Sequence, residues 1–292
     1  MIRFKHIVVV GVGLIGGSFA LAARRAGLCE RLTGWDKSRS LDAAISSGVI
    51  DAVESSFDEG RVCEADLIYL AAPIAGILDF IGNRGHLVKP GAIITDAGSS
   101  KREICRVARE SIREDVHFVG GHPMAGSHNR GVEFASADLF QGAPYVLAVE
   151  ESDRRSEAVR KIIETVFGIG AQPVMMTADR HDAVVAQVSH APQIVSTALA
   201  LAVASHVGEE ALAISGSGLV DMTRLARSRW EVWEGICRTN RDELARAIDE
   251  VMKEIESLRD AIAKEQWAEA QSAFQKANEF AENLNRQGAD KS

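Results

Sequence analysis

The chain has 292 residues, 46% hydrophobic and 25% charged, a composition that fits one large or two ordinary folded domains and excludes a disordered chain. A formal net charge of −8 and a pI near 5.6 exclude general nucleic-acid binding, because phosphate contacts need a basic surface. The four cysteines (Cys29, Cys63, Cys105, Cys237) are scattered without CxxC spacing, so reduced thiols in a cytoplasmic protein are expected, not a disulfide framework or a metal site.

The N-terminus enters a strand within a few residues, so no signal peptide is expected. His6 to Val10 is β-branched and leads into Gly11-Val12-Gly13-Leu14-Ile15-Gly16. A helix of small and apolar residues follows over Gly17 to Ala26, ended by Gly27, and Arg31 to Trp35 forms a second strand closing on Asp36. Each part has a use in holding a dinucleotide. Gly11 makes the tight turn, Gly13 lets the backbone approach a pyrophosphate, and Gly16 packs helix against strand. Val12, Leu14 and Ile15 complete the cradle, where the helix N-terminus turns its N–H groups and positive dipole end toward the phosphates. Asp36, about 20 residues after Gly16, is placed to bond both ribose hydroxyls and to repel a 2′-phosphate. That predicts NAD over NADP, with Lys37 and Arg39 just beyond working the other way. A glycine loop alone is a weak signal, but strand, glycines, helix, strand and acid in register define a dinucleotide site.

The alternation continues. Asp66 to Ala71 reads as a strand followed by Ala72-Pro73, Ile74 to Leu87 as a helix, and Ala92 to Thr95 as a strand. Lys101 to Ile112 is helical in pattern and Val116 to Val119 is the next strand. This order predicts an α/β fold, a Rossmann-type, doubly wound, mostly parallel sheet whose ligand lies at the carboxyl ends of the strands. The Gly11–Gly16 loop, Ala72-Pro73, Ser99 and His122 all follow strands and are expected around one crevice. Ser99 either caps the helix beginning near Lys101 or hydrogen-bonds the reacting group. His122 sits in Gly120-Gly121-His122-Pro123-Met124-Ala125-Gly126-Ser127-His128. It is either a turn histidine bonded to backbone or a proton acceptor working near neutral pH, and the nucleotide-binding half around it favours the second. Gly142 to Val149 reads as a strand at the sheet's edge, Ser152 to Gly168 as a charged helix and Ala171 to Met175 as a last strand. The boundary is placed there, giving residues 1–176 to the nucleotide-binding domain and 177–292 to an all-α domain.

Beyond Ala178 the pattern is helical: Asp179 to His206, Leu219 to Leu225, Ser228 to Thr239, Arg241 to Lys264 and Gln266 to Asn285. Pro192 predicts a kink or a break in the first of these. The longest nearly apolar stretch, Ala191 to Ala204, is too short to span a bilayer, so no membrane partner is expected. Candidate substrate contacts are His190, Gln193, Arg224 and Trp233. His190 serves equally well as a buried histidine, and Trp233 as core. Arg224 pairs either with Asp221 one turn back or with a substrate carboxylate.

Four stretches, Gly11-Val12-Gly13-Leu14-Ile15-Gly16-Gly17-Ser18, Asp96-Ala97-Gly98-Ser99-Ser100-Lys101, Gly121-His122-Pro123-Met124-Ala125-Gly126 and Asp221-Met222-Thr223-Arg224, resemble the prephenate and arogenate dehydrogenase family of tyrosine biosynthesis. The resemblance covers nearly the whole chain, and the second and third stretches in this order are specific to it. It implies NAD-dependent oxidative decarboxylation of a cyclohexadienol. By that resemblance His122 corresponds to the histidine that takes the C4-hydroxyl proton as hydride leaves for NAD, and Ser99 to the serine beside it. Arg224 corresponds to the arginine that anchors a substrate carboxylate, and Trp233 to an aromatic near the pocket. His128 stands where many members carry an acid, and Gln193 where several prephenate-preferring members carry histidine. The missing acid removes a partner for arogenate's ammonium, so prephenate is expected, with arogenate or dual specificity as the alternative. The resemblance also implies a homodimer through the helical domain. A β-hydroxyacid dehydrogenase or imine reductase shares the layout, but it places a lysine early in the long interdomain helix, and Asp179 to His206 holds none. A non-catalytic NAD sensor should have lost His122 or Ser99, and both are present.

Overall fold

The computed structural model describes residues 2–36, 40–126 and 129–289. Its contacts divide the chain into two compact units, Met1–Asp182 with Trp230–Thr239, and Ala183–Arg229 with Asn240–Ser292.

The first unit is built on an eight-stranded sheet of β1 (Phe4–Val10), β2 (Cys29–Trp35), β3 (Ala52–Val53), β4 (Leu67–Leu70), β5 (Ile93–Asp96), β6 (His117–Pro123), β7 (Pro144–Ala148) and β8 (Gln172–Met176). The strand order is β3-β2-β1-β4-β5-β6-β7-β8. β1 to β6 are parallel to their neighbours, β7 runs antiparallel to β6, and β8 is parallel to β7. Central strands read as continuous apolar runs because helices cover both faces. Along β1 the alternation sorts the side chains: Ile7 and Val9 join Phe19 of α1 (Leu14–Arg25) and Ile162 of α5 (Glu157–Gly168) in one core. Val8 and Val10 join Phe80 of α3 (Ile74–Arg84) and Ile104 of α4 (Arg102–Ser111) in the other.

Two expectations change here, and two short elements are new. The strand at Pro144–Ala148 is interior, and β8 is the edge. β6 does not stop before His122, because the antiparallel ladder to β7 carries it on, with His122 opposite Val146. The short α2 (Ser40–Ser46) and the two-residue β3 had no readable period.

In the second half, Ala178–His206 forms one helical run of 29 residues that by length and composition alone reaches what a membrane span requires, which the shorter apolar stretch did not suggest. It comprises α6 (Ala178–Val185), a π turn (Ala186–His190) and α7 (Ala191–His206), and it buries polar His190, Gln193 and Ser196. Pro192 neither breaks nor ends it. The π turn lies just upstream, with the Ala191 N–H bonded to the Ala186 carbonyl, and its wider bore relieves the proline ring's clash with the carbonyl of residue 188. Then come α8 (Glu209–Ile214), α9 (Ser217–Thr223), a 3₁₀ turn (Arg224–Arg227), α10 (Trp230–Thr239), α11 (Arg241–Ala263) and α12 (Trp267–Ala289). α10 belongs with the sheet: Ile236 is buried beside Ile74, and Trp233 packs on the same core.

Candidate active site

The glycine loop does mechanical work that larger residues cannot. Gly11 has φ +87°, and a Cβ there would lie 2.8 Å from the Ala71–Ala72 peptide. A Cβ on Gly16 would overlap the Gly11 carbonyl and the Val9 side chain. Gly13 differs, since nothing lies within 4 Å of its Cβ position. It faces a cleft of about 440 Å³ that Leu14, Ile15, Ala72, Pro73 and Ser99 also line. Gly11, Val12 and Gly16 shape the loop without lining the cleft. α1 begins at Leu14 with no side-chain cap and no acid in its first turn, and Leu14 and Ile15 line the cleft, so the positive end of its dipole lies at the cleft. Asp36 accepts a 2.9 Å bond from the Val12 N–H, tying the loop to the end of β2. Open space at Gly13, uncapped donors and a carboxylate one strand over fit a dinucleotide. Asn129 and Arg130, and Glu231 and Val232 of α10, line the same cleft and carried no readable signal in the sequence.

Past the cleft, two buried charges tie the β5 loop to β6. Lys101, wholly buried, is ion-paired with the equally buried Asp96 and donates to the Gly121 carbonyl at 2.7 Å. Asp96 accepts from the Gly121 N–H at 3.0 Å and from the Gly98 N–H at 2.8 Å. A buried pair of this kind is stable only with such extra hydrogen bonds, and here every one of them fixes a residue next to Ser99 or His122. Ser99 does not cap α4. That end is satisfied by Asp182, whose carboxylate accepts the N–H groups of Lys101 at 2.7 Å and Arg102 at 2.9 Å.

The same carboxylate faces the His181 ring, Nδ1 to Oδ1 at 2.7 Å, and the His181 Nε2 lies 2.8 Å from the His122 Nδ1. Burial lowers the pKa of His181 despite its acidic neighbour. Burial pushes Asp182 the other way, but bonds from His181, Arg102 and Lys101 outweigh it and hold the carboxyl below its ordinary range. Sequence reasoning missed both residues. An adjacent His-Asp pair at the head of a long helix was the available signal, and nothing in it pointed 59 residues back to His122.

Within the second unit, Gln193 donates to the Leu225 carbonyl at 2.8 Å and Ser196 accepts from the Ala226 N–H at 3.2 Å. These bonds pin the turn that carries the exposed Arg224 to α7. His190 is buried, its Nδ1 3.3 Å from the Asn240 amide nitrogen. Trp233 is half-buried and packs against the sheet unit's core. His128, Lys37 and Arg39 lie outside the described residues.

A nucleotide cradle braced through Asp96 and Lys101 to a strand bearing a buried histidine pairs a place for a hydride carrier with a place for a proton. That combination defines a nucleotide-dependent dehydrogenase. Residues 19–175 match the model of the prephenate dehydrogenase nucleotide-binding domain, and residues 177–276 match that of the prephenate dehydrogenase dimerization domain. The prephenate dehydrogenase of Bacillus subtilis is 33% identical over 284 residues, spanning 95% of this chain and 76% of the relative. Among solved structures, the arogenate dehydrogenase of Synechocystis superposes with a TM-score of 0.82 at 28% identity, covering 96% of this chain and 100% of that one. The prephenate dehydrogenase of Aquifex aeolicus in complex with hydroxyphenyl propionate and NAD⁺ superposes with a TM-score of 0.89 at 25% identity, covering 96% and 98%. The chain belongs to the prephenate dehydrogenase family.

Proposed function

We propose that the protein catalyses the NAD-dependent oxidative decarboxylation of prephenate to 4-hydroxyphenylpyruvate in tyrosine biosynthesis. The observation that carries this reading is His122, fixed at the end of β6 by a ring-to-ring hydrogen bond in a chain of this family. NAD, when bound, supplies the hydride acceptor. The Gly11–Gly16 loop and the α1 N-terminus hold its pyrophosphate, Ala72-Pro73 wall the cleft, and Asp36 binds the ribose while repelling a 2′-phosphate. His122 takes the proton of the ring C4 hydroxyl, and the Ser99 hydroxyl supports the same oxygen. Arg224 anchors a substrate carboxylate. Gln193 and Ser196 position that arginine by holding its turn. Aromatisation on loss of carbon dioxide supplies the thermodynamic drive, so the protein has only to orient the reactants and remove one proton.

His122→Asn is expected to keep its NAD affinity and lose ~10²–10⁴-fold in kcat, the usual worth of a general base. Turnover near wild type would take His122 out of the mechanism. Arogenate is the second reading, favoured by the likeness to the Synechocystis enzyme. The ratio of kcat/KM for NADH formation with the two substrates decides between them. A homodimer goes with this reading. The matched model is named for dimerization, and Leu212 and Ile214 (84% exposed each) and Phe280 (70%) put large apolar groups on the helical unit's surface. A cytoplasmic location goes with it as well, since all four cysteines are free thiols.

A further inference from the structure

We infer that Asp182 and His181 are positioning residues that set the tautomer of His122, placing the ring's lone pair on Nε2. The inference rests on the reading of His122 as the base. It begins at the buried carboxylate. Asp182 is wholly buried and sits at the N-terminus of α4, where two backbone N–H groups and the helix dipole hold it ionised. An ionised carboxylate only accepts hydrogen bonds, so the His181 Nδ1, 2.7 Å away, carries a hydrogen. His181 is also wholly buried, and burial keeps it neutral with one N–H. Its Nε2 is therefore an acceptor. The atom facing that acceptor at 2.8 Å is the His122 Nδ1, which must be the donor. A neutral His122 with its hydrogen on Nδ1 holds its lone pair on Nε2.

One carboxylate thus orders two imidazoles in series. The arrangement also serves the protonated ring. Once His122 has accepted a proton, its Nδ1–H still points at a neutral acceptor backed by a negative charge, and no bond has to reverse. The other charged groups near His181 are Asp96 and Lys101, which are paired to each other, so Asp182 is the carboxylate that His181 hydrogen-bonds. Neither His181 nor Asp182 needs to touch substrate for this role.

The experiment combines nitrogen-15 NMR of histidine-labelled full-length protein at neutral pH with steady-state kinetics. In wild type, the His122 Nδ1 should carry the scalar-coupled proton and Nε2 should appear as an unprotonated ring nitrogen. A protonated Nε2 in neutral His122 overturns the inference without any variant. Asp182→Leu removes the acceptor that His181 donates to and should free both rings from their fixed tautomers. It should lower kcat by ~10²–10⁴-fold with NAD affinity and KM unchanged, a split that general loosening of the fold would not give. Retention of the tautomer and of kcat in that variant also overturns it. His181→Gln, which can donate to Asp182 and accept from His122, should recover most of the kcat lost in His181→Phe; equal loss in the two counts against the inference. The wild-type spectrum tests the tautomer and His122→Asn tests the base, so either reading can fail while the other stands.

Discussion

The sheet unit takes Tyr69, Phe80, Lys101 and Asp96 almost completely out of water, and both buried charges find their partners inside it. The helical unit buries little by comparison. Its core cluster is Ala186, Ala191 and Ala247, while Leu212, Ile214, Phe274 and Phe280 are exposed. The difference teaches where each unit's stability comes from. The sheet unit is self-sufficient and can spend buried polar groups on ordering a site. The helical unit has put its large apolar groups where only another surface can cover them.

The sharpest way to break this comparison is at its most buried charge. Lys101→Met leaves Asp96 without its counter-charge and should destabilise the sheet unit by about 3–5 kcal/mol, read from chemical denaturation. A loss under about 1 kcal/mol would mean that the unit does not depend on the pair. The glycine loop gives a finer cut. Gly16→Ala drives a methyl into the Gly11 carbonyl and Val9 and should cost about 1–3 kcal/mol along with NAD affinity. Gly13→Ala points into open space, so it should leave the melting temperature unchanged and weaken NAD binding alone. Loss of stability in both variants would show the cleft at Gly13 to be packed protein. On the helical side, Phe280→Asp should weaken self-association by about 2 kcal/mol or more, visible as a lower mass in sedimentation, with NAD affinity intact. An unchanged mass would leave that face outside any interface.

The smallest effect is a pH slope that belongs to the sheet unit. Burial holds His6 and His181 below the ordinary value of 6.5, so the unfolded chain binds protons there more readily than the folded one. Stability should therefore fall as pH drops below about 6.5 and level off below the depressed folded values. A melting temperature that stays flat from about pH 7 to about pH 5 would mean that these rings accept protons in the folded state.

The nucleotide-binding half was legible because its signals are local. Strands buried on both faces read as apolar runs, and the glycines are spaced by the loop they build. What stayed hidden depends on contacts between distant positions. His122 lies inside a strand only because β7 comes back antiparallel to pair with it. Lys101 stood in a recognisable stretch, but nothing in a lysine's neighbours announces that it will be entirely buried. The bond from Asp182 to the start of α4 crosses 81 residues. α10 read correctly as a helix, and only the packing of Ile236 against the sheet's core revealed which unit owns it.

The widened turn at Ala186–His190 has a consequence for how this lineage can change. A π turn holds one residue more than the α-helical path requires. Deleting one residue there would restore ordinary winding and rotate all of α7 by about 100° about its axis. Gln193 and Ser196 would swing away from the Leu225 carbonyl and the Ala226 N–H, and the arginine-bearing turn would lose both tethers at once. A single codon at this point therefore sets the angular register of the helix, and relatives with an unbroken α-helix here must hold their arginine by other means.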